Sequence, residues 1–261
     1  MTRQFQINLV ADVFTSDTRF LKAILNKIDI KRVFCEIERV SLDINNFCKW
    51  NDIEFIPIKT LDDVLLAKKV SDVAFSFGFG MIFSKSHIQE FEHGIWNFHP
   101  GDLPKYRGRH PLTHAFLEGE KEFVLSVHQI NEKIDLGNLL TKVIVERTFE
   151  DNEDMILSKI INKIESEALW MAYSNYREGK ISTIPFFQYR GNFVGGITLT
   201  NPTELTCRQI FDLMKSQVSH GGVKIASNSY KEAHFPIKLI RPFIPDLVLN
   251  CKDGEMWLKE S

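Results

Sequence analysis

Short apolar segments alternate with helical patterns through the first third of the chain, and this alternation most restricts the possible folds. Between the apolar segments, Asp17 is placed to cap one helix, and Thr60 with Asp63 resembles a capping box that opens another. Strands that alternate with helices predict a largely parallel sheet covered on both faces. Ligand sites of such sheets lie beyond the carboxyl ends of the strands, here after Phe77 and Phe98. The segments that predict strands are 6–10, 31–37, 53–58 and 72–77.

The rest of the chain predicts a second group of strands, one long helix and a change of character near residue 180. The long helix has an apolar residue at every fourth position and ends before Gly179. Beyond it, Gly, Asn and Pro punctuate the chain. We therefore predict an α/β protein with a Rossmann-like catalytic domain over 1–180 and a small C-terminal subdomain over 181–261. The strand patterns are 95–98, 122–130, 138–147, 237–240 and 247–250, and the helical patterns are 152–178 and 204–216.

Composition excludes several classes of protein. The formal net charge is -2, so no global basic field favours nucleic-acid binding. No apolar run is long enough to span a bilayer, and the N-terminus lacks the apolar core of a signal peptide. No C-x-x-C pair is present, which argues against a zinc site or a disulfide framework. We predict a cytoplasmic protein with no nucleic-acid partner, no membrane partner and no metal. The four cysteines are Cys35, Cys48, Cys207 and Cys251.

The densest group of catalytically useful polar residues follows the strand predicted at 95–98. Asn97 and His99 are two positions apart, so in a strand their side chains project on the same side. A carboxamide that can donate to an oxyanion, beside an imidazole that can move protons near neutral pH, suits acyl transfer. Asp135, in the turn before Gly137, can orient His99. Taken alone, all three side chains can equally satisfy the backbone of a loop or turn.

Residues 97–108 read NFHPGDLPKYRG, and this segment resembles the signature of the folate-dependent formyltransferases. That family includes methionyl-tRNA formyltransferase, glycinamide ribonucleotide formyltransferase and the sugar-nucleotide N-formyltransferases. Its members carry N-x-H, an L-P stretch, a basic-Gly pair and then an I/L-D-x-G turn, whose aspartate here follows His99 by 36 positions. The segment SVHQI at 126–130 resembles the strand that leads to this aspartate. The resemblance covers about 71–178 and implies a Rossmann-like formyltransferase domain with a mainly parallel sheet.

The resemblance implies that Asn97, His99 and Asp135 are catalytic. A neutral substrate amine would attack the formyl carbon of the donor N10-formyltetrahydrofolate, and Asn97 would stabilise the oxyanion. His99 would take the proton of the amine, or stabilise the oxyanion as an imidazolium. Asp135 would set the orientation and charge of His99. The mechanism requires no covalent enzyme intermediate and no metal.

The loop after the strand at 72–77 is the predicted donor site. Gly78 and Gly80 let the main chain approach a flat heterocycle, and they lack the third glycine of a dinucleotide fingerprint. In relatives, this stretch and the segment before the aspartate hold the pterin largely through main chain. The apolar members of the set are equally typical of core packing. The residues assigned to the donor are Phe77, Met81, Ile82, Phe83, Ile130, Lys133 and Ile134.

A small basic group beside His99 is the predicted acceptor site. Lys105, Arg107 and Arg109 can grip a diphosphate, and His110 is assigned to the same cleft. Scattered charge on a solvated loop explains the three cations equally well. The remaining histidines have no partner signal and are interpreted as structural or surface residues. They are His87, His93, His128, His220 and His234, while His114 is either a second residue of the acceptor cleft or a structural histidine.

The acceptor class is inferred from three features. The chain is longer than a minimal glycinamide ribonucleotide enzyme and shorter than a typical tRNA enzyme of the family. Residues 201–261 hold eight basic and seven acidic residues, whereas a tRNA-binding appendage should be more basic. Where many relatives have H-x-S-L-L-P, the stretch HPGDLP at 99–104 looks closer to the sugar-nucleotide members. We therefore predict a dTDP- or GDP-linked amino-deoxysugar acceptor, destined for a surface polysaccharide.

Other functions and the assembly state remain open from the sequence. The alternative acceptors are methionyl-tRNA and glycinamide ribonucleotide. The alternative activities are formyltetrahydrofolate hydrolysis, in which water replaces the amine, and non-catalytic binding of folate or nucleotide. A homodimer is predicted from apolar, aromatic-rich stretches in the C-terminal part. Their aromatic residues are Phe186, Phe187, Phe235 and Phe243.

Overall fold

The computed structural model describes residues 6–65, 69–191, 197–235 and 245–260. Its larger sheet has eight strands, which follow the chain from the N-terminal region to just beyond residue 180. The strands are β1 (Val10–Thr15), β2 (Asp29–Glu36), β3 (Glu54–Ile58), β4 (Val73–Phe77), β5 (Ile95–His99), β6 (Glu122–Gln129), β7 (Asn138–Glu146) and β8 (Ser182–Thr183).

The larger sheet is parallel in its first part and antiparallel in its second. Its order is β3-β2-β1-β4-β5-β6-β7-β8. The first five strands in this order pair in parallel with their neighbours. β6 runs antiparallel to β5, and β8 antiparallel to β7. The prediction of a Rossmann-like α/β fold with a mainly parallel sheet is confirmed. β5 is the last parallel strand, so the segment that follows its carboxyl end lies at the edge where such sheets bind ligands.

Aromatic side chains fill the core around the parallel strands. Phe14 of β1 stacks on Phe34 of β2 with 4.9 Å between ring centroids, and Phe83 meets Phe14 edge-on at the same distance. All five residues of β4 are buried. A parallel sheet covered on both faces needs such continuous apolar strands, and each aromatic pair adds about 0.5–1.5 kcal/mol beyond its buried area.

The first strand is displaced from its predicted position. The apolar pattern predicts it at residues 6–10, whereas β1 is Val10–Thr15. The cause is Asp12, whose charge interrupts the apolar pattern although its side chain is fully buried. Its carboxylate pairs with Arg32 of β2 and accepts a hydrogen bond of 2.7 Å from the Ser71 hydroxyl. A buried carboxylate with this many partners is tolerated inside a strand.

The helices begin and end close to their predicted limits. Asp17 caps α1 by accepting from the amide of Arg19 at 2.8 Å, as predicted. The long helix predicted at 152–178 is α6 and α7 joined by one π-helical turn, Ile164–Ala168. The helices are α1 (Thr18–Ile24), α2 (Leu42–Trp50), α3 (Asp62–Leu65), α4 (Lys85–Gln89), α5 (Pro111–Leu117), α6 (Glu153–Lys163), α7 (Leu169–Arg177) and α8 (Cys207–Gln217).

A second, smaller sheet is antiparallel and lies in the C-terminal part. The predicted helix at 204–216 is α8, which begins at a capping box of Thr206 and Gln209. The predicted strand at 247–250 is confirmed, and the one at 237–240 lies outside the described residues. The strand order is β11-β12-β10-β9, with β9 (Val223–Ile225), β10 (Asn228–His234), β11 (Leu247–Cys251) and β12 (Gly254–Glu260).

The chain forms two compact units. The predicted division after residue 180 falls near the last boundary between them, but the second unit also takes two earlier segments of the chain. Among the described residues, no helix combines the length and apolar character needed to cross a bilayer. The first unit comprises Met1–Arg107, Val124–Ile144 and Lys159–Gln188, and the second comprises Gly108–Phe123, Val145–Ser158 and Tyr189–Ser261.

Candidate active site

The register of two neighbouring strands in the first unit places three polar side chains together. Asn97 and His99 alternate along β5 with Trp96 and Phe98, which are fully buried in the core. His128 of β6 lies directly opposite Asn97 in the antiparallel register. Side chains directly opposite one another in such a pair lie on the same face of the sheet. Asn97, His99 and His128 therefore share one face.

Asp135 joins these side chains from the turn between β6 and β7. Its Oδ1 atom lies 3.5 Å from Nδ2 of Asn97, 3.8 Å from Nδ1 of His99 and 3.4 Å from Nε2 of His128. Its side chain is only 10% exposed. The three residues predicted to be catalytic thus lie together, and His128 completes a group of four. We refer to Asn97, His99, His128 and Asp135 as the polar cluster.

The main chain, rather than Asp135, holds the ring of His99. Its Nε2 is 2.8 Å from the carbonyl oxygen of Tyr106. Because a carbonyl only accepts, this nitrogen carries the proton of the neutral ring, and Nδ1 keeps its lone pair. Nδ1 faces Asp135 at a distance too long for a hydrogen bond. Asp135 therefore acts on His99 through its charge, and Nδ1 is the atom that can take a proton.

Burial sets the protonation state of His99. Desolvation lowers the pKa of this imidazole below its usual 6.5, and the nearby His128 lowers it further. The charge of Asp135 and the hydrogen bond to Tyr106 raise the pKa but do not fully compensate. His99 is therefore neutral at pH 7, the state that a general base requires.

Replacing Asp135 with asparagine should move the acid limb of the kcat profile to lower pH. The carboxylate raises the pKa of His99 and so offsets part of the effect of desolvation. Its removal should therefore lower this pKa further. The acid limb marks protonation of the base in the enzyme–substrate complex. We would measure kcat with saturating donor and acceptor between pH 4.5 and 8, a range of roughly two units around the ordinary imidazole pKa. Asp102→Asn is the matched control, because Asp102 pairs with Lys142 instead. A limb that stayed in place or rose in Asp135→Asn would contradict the role of the charge.

The turn that carries Asp135 is held by a glycine and an arginine. Asp135 has φ +51°, and a Cβ atom added to Gly137 would lie 1.6 Å from the carbonyl oxygen of Gln129. Arg107 donates from Nε to the carbonyl of Ile134 and from Nη1 to that of Phe187 at 2.9 Å. The glycine of the D-x-G motif is therefore required by close backbone approach.

Gly137→Ala should destabilise the protein and impair the site together. The added methyl group has no space, so the turn must move; overpacking of this kind costs about 1–3 kcal/mol. Urea unfolding measures the loss, and kcat should fall as well because Asp135 moves with the turn. Gly191→Ala is the control: its Cβ would meet no atom within 4 Å, so we expect a change within about 0.5 kcal/mol. Equal stabilities for the two variants would contradict the close approach.

The side chains of the predicted donor residues lie in two environments, and their role in donor binding stays a prediction. Phe77 stacks on Phe20 at 4.9 Å and Phe83 packs in the core, so their rings are not free to contact a ligand. Met81 and Ile130 are half-buried against the same core cluster as Phe83. Of the assigned residues, only three have exposed side chains, because the others face the apolar interior. These are Ile82, Lys133 and Ile134.

The main chain of the predicted donor loop is fixed by a charged pair that the sequence analysis missed. Arg39 donates to the carbonyl of Gly78, which has φ +61°, and Glu36 accepts from the amide of Gly80 at 3.2 Å. Arg39 and Glu36 also pair with each other at 2.9 Å. Glu36 is the last residue of β2 and so lies at the carboxyl edge of the sheet, where such sheets bind ligands. This position is the sequence signal that could have identified it.

The predicted acceptor residues are divided between the two units. Arg107, in the first unit, is buried and its guanidinium bonds to main-chain carbonyls, so its assignment to a diphosphate is corrected to the turn of Asp135. Lys105 lies over the ring of Tyr106 at 4.9 Å. Arg109 is exposed in the second unit, and His110, with φ +58°, is the N-cap residue of α5 there. Roles in acceptor binding stay predictions for Lys105, Arg109 and His110.

Several histidines without a sequence signal have partners in the structure. His128 is the important correction, since it is buried and contacts two residues predicted to be catalytic. His220, in the second unit, lies 3.4 Å from Glu153, a carboxyl whose pKa burial raises although His220 and Thr113 oppose the shift. His93 bonds to the hydroxyl of Tyr176 at 3.0 Å. These pairings are long-range in sequence, so spacing alone could not reveal them.

Sequence comparison connects the polar cluster to a known family. Residues 59–172, which contain all four members, match the family described as formyl transferase. Over 115 residues the chain is 30% identical to methionyl-tRNA formyltransferase of Listeria monocytogenes serotype 4a (strain HCC23). That match covers 44% of this chain and spans only 36% of the length of the relative.

Two solved structures are similar in fold over almost the whole chain. One is WlaRD, a sugar 3N-formyl transferase crystallised with dTDP and 5-N-formyl-THF, with a TM-score of 0.69, 17% identity, and coverage of 99% of this chain and 98% of that one. The other is the N-formyltransferase from Helicobacter canadensis in complex with folinic acid and dTDP-3-aminofucose. Its TM-score is 0.68 at 16% identity, with 96% and 98% coverage. At these identities, the similarity shows a shared fold.

Proposed function

We propose that the protein is a folate-dependent N-formyltransferase, because residues 59–172 match the formyl transferase family. The observation that carries the proposal is the polar cluster. Asn97, His99 and Asp135 occupy the N-x-H and D-x-G positions of the family motif, and both Asn97 and His99 lie within 3.8 Å of the Asp135 carboxylate. The donor is N10-formyltetrahydrofolate, which supplies the formyl carbon.

Each residue of the proposed mechanism acts on one atom. The amide of Asn97 donates to the formyl oxygen as it gains negative charge under attack by the amine. Nδ1 of His99 accepts the proton that the attacking nitrogen loses, and Asp135 stabilises the resulting imidazolium. As the C–N bond to the folate breaks, that proton passes to the departing N10, so charge and protons balance. Gly78 and Gly80 present main-chain groups to the flat ring of the donor.

The proposed acceptor is a dTDP- or GDP-linked amino-deoxysugar used for a surface polysaccharide. The two sugar N-formyltransferase structures are similar to almost the whole chain, whereas the match to the tRNA enzyme covers 36% of that relative. The C-terminal residues 201–261 carry nearly balanced charge, which a tRNA-binding surface would not. The free state of all four cysteines is expected in a reducing compartment and supports the cytoplasm as the site of action.

A homodimer remains part of the proposal. Phe186 is 81% exposed and Phe187 is partly exposed, which leaves apolar surface for a second copy to cover. Phe235 packs instead against Phe211 within the second unit, and Phe243 lies outside the described residues.

A mass-spectrometric turnover assay tests the proposed function. The protein is mixed with N10-formyltetrahydrofolate and a panel of dTDP- and GDP-linked amino sugars, glycinamide ribonucleotide and initiator methionyl-tRNA. Formylation of one amino sugar, with release of tetrahydrofolate, is the expected result. Formylation of the tRNA would overturn the acceptor class alone. Release of formate without any acceptor would replace transfer by hydrolysis.

A further inference from the structure

We infer that His128 is a positioning residue that fixes the orientation of the Asn97 carboxamide; the inference rests on the proposed function. His128 is buried on β6, and its Nε2 lies 3.2 Å from Nδ2 of Asn97. The same nitrogen is 3.4 Å from Oδ1 of Asp135. Among the described residues, it therefore contacts the predicted oxyanion donor and the predicted carboxylate at once.

The other ring nitrogen of His128 determines what Nε2 can do. Nδ1 is 2.9 Å from the carbonyl oxygen of Gln129. Because the carbonyl only accepts, Nδ1 carries the proton of the neutral ring and Nε2 presents a lone pair. Nε2 therefore accepts from an N–H of Asn97. His128 is thus the opposite tautomer to His99, whose proton is on Nε2.

This lone pair selects one of the two orientations of the Asn97 amide. In the observed orientation, the NH2 group faces Nε2 of His128 and Oδ1 of Asp135, two acceptors. A flipped amide would place its own oxygen against both, which is repulsive. The contact to Asp135 is long and weak, at 3.5 Å, and on the proposed function the formyl oxygen shares this second N–H as it gains charge. A buried donor oriented in advance is what makes an oxyanion site effective.

His128 itself is not placed to exchange protons with substrate. It is 1% exposed, and both nitrogens have partners within the protein. Its effect therefore passes through the side chains that it contacts, Asn97 and Asp135. Loss of its lone pair should slow the chemical step without weakening the binding of donor or acceptor.

Two substitutions separate the lone pair from the volume of the ring. His128→Leu removes the acceptor, and we expect kcat to fall about tenfold to a hundredfold, part of the full effect of an oxyanion donor. The KM of N10-formyltetrahydrofolate should stay within about threefold. His128→Gln keeps an acceptor oxygen near the position of Nε2 and should restore kcat to within about threefold of wild type. The control His93→Leu removes a half-buried, hydrogen-bonded histidine outside the polar cluster and should leave kcat unchanged.

The outcomes that overturn the inference are separate from those that overturn the proposed function. A kcat for His128→Leu equal to wild type, or a kcat for His128→Gln as low as that of a folded His128→Leu, would remove the positioning role. Long-range ¹H–¹⁵N NMR of the wild-type protein without ligands is independent of activity and of whether the leucine variant folds. We expect the Nδ1–H tautomer for His128, and finding Nε2–H would overturn the inference. A wild-type protein that formylates nothing in the panel overturns the proposed function, while the tautomer still reports on the contact with Asn97.

Discussion

His99→Ala is expected to lower kcat by about 10²- to 10⁴-fold, the usual contribution of a general base. The polar cluster provides no substitute, because Nε2 of His128 is committed to Asn97 and carboxylates are in general far weaker bases than amines. Nδ1 of His99 is the nitrogen that holds a lone pair beside a carboxylate, which stabilises the cation formed on proton transfer. Binding should persist, since His99 is buried and its ring is held by the main chain of Tyr106.

The measurement is single-turnover formylation of the acceptor that the panel identifies, together with calorimetric titration of 5-formyltetrahydrofolate. His93→Ala serves as the control, because His93 bonds to Tyr176 and contacts no member of the polar cluster among the described residues. Wild type should keep more than half of its rate at pH 6.5, because the pKa of His99 is lowered and most of the base is still neutral there. A rate for His99→Ala near that of wild type, with donor bound, would remove His99 from the mechanism.

The fold could be predicted from local patterns because its parallel strands are short, apolar and separated by helices. The error at β1 has a long-range cause: Asp12 is charged in the sequence and becomes acceptable in the core only through Arg32, which is 20 residues away. The same limit applies to the second unit, which combines three separate segments. No local pattern reports which segments will pack together.

The residues of the candidate site, like the fold, could be predicted from the sequence only in part. That Asn97 and His99 project on the same side follows from strand periodicity, whereas the catalytic roles predicted for them and for Asp135 come from a resemblance in motif and spacing. His128 was missed because it joins the polar cluster through strand register, which places it opposite Asn97 only once β5 and β6 are paired. The partners of Arg107 were also beyond local reasoning, since its guanidinium bonds to carbonyls 27 and 80 residues away. Side-chain identity indicated the chemistry, and long-range pairing determined which of these groups lie together.

Asn97→Ala should lower kcat by about 10²- to 10³-fold, the loss typical of removing one oxyanion donor. The amide contributes only when the formyl oxygen gains charge, so kcat and kcat/KM should fall by similar factors while KM changes little. Asn97→Asp preserves shape and tests charge: a carboxylate there would face Asp135 at about the 3.5 Å now spanned by the amide, and would repel the oxyanion. We therefore expect Asn97→Asp to be at least as slow as Asn97→Ala. Asn138→Ala, which removes an exposed asparagine of β7, is the control. An Asn97→Asp variant with near wild-type kcat would show that the amide donates no hydrogen bond to the transition state, and catalysis would then depend on His99 and Asp135.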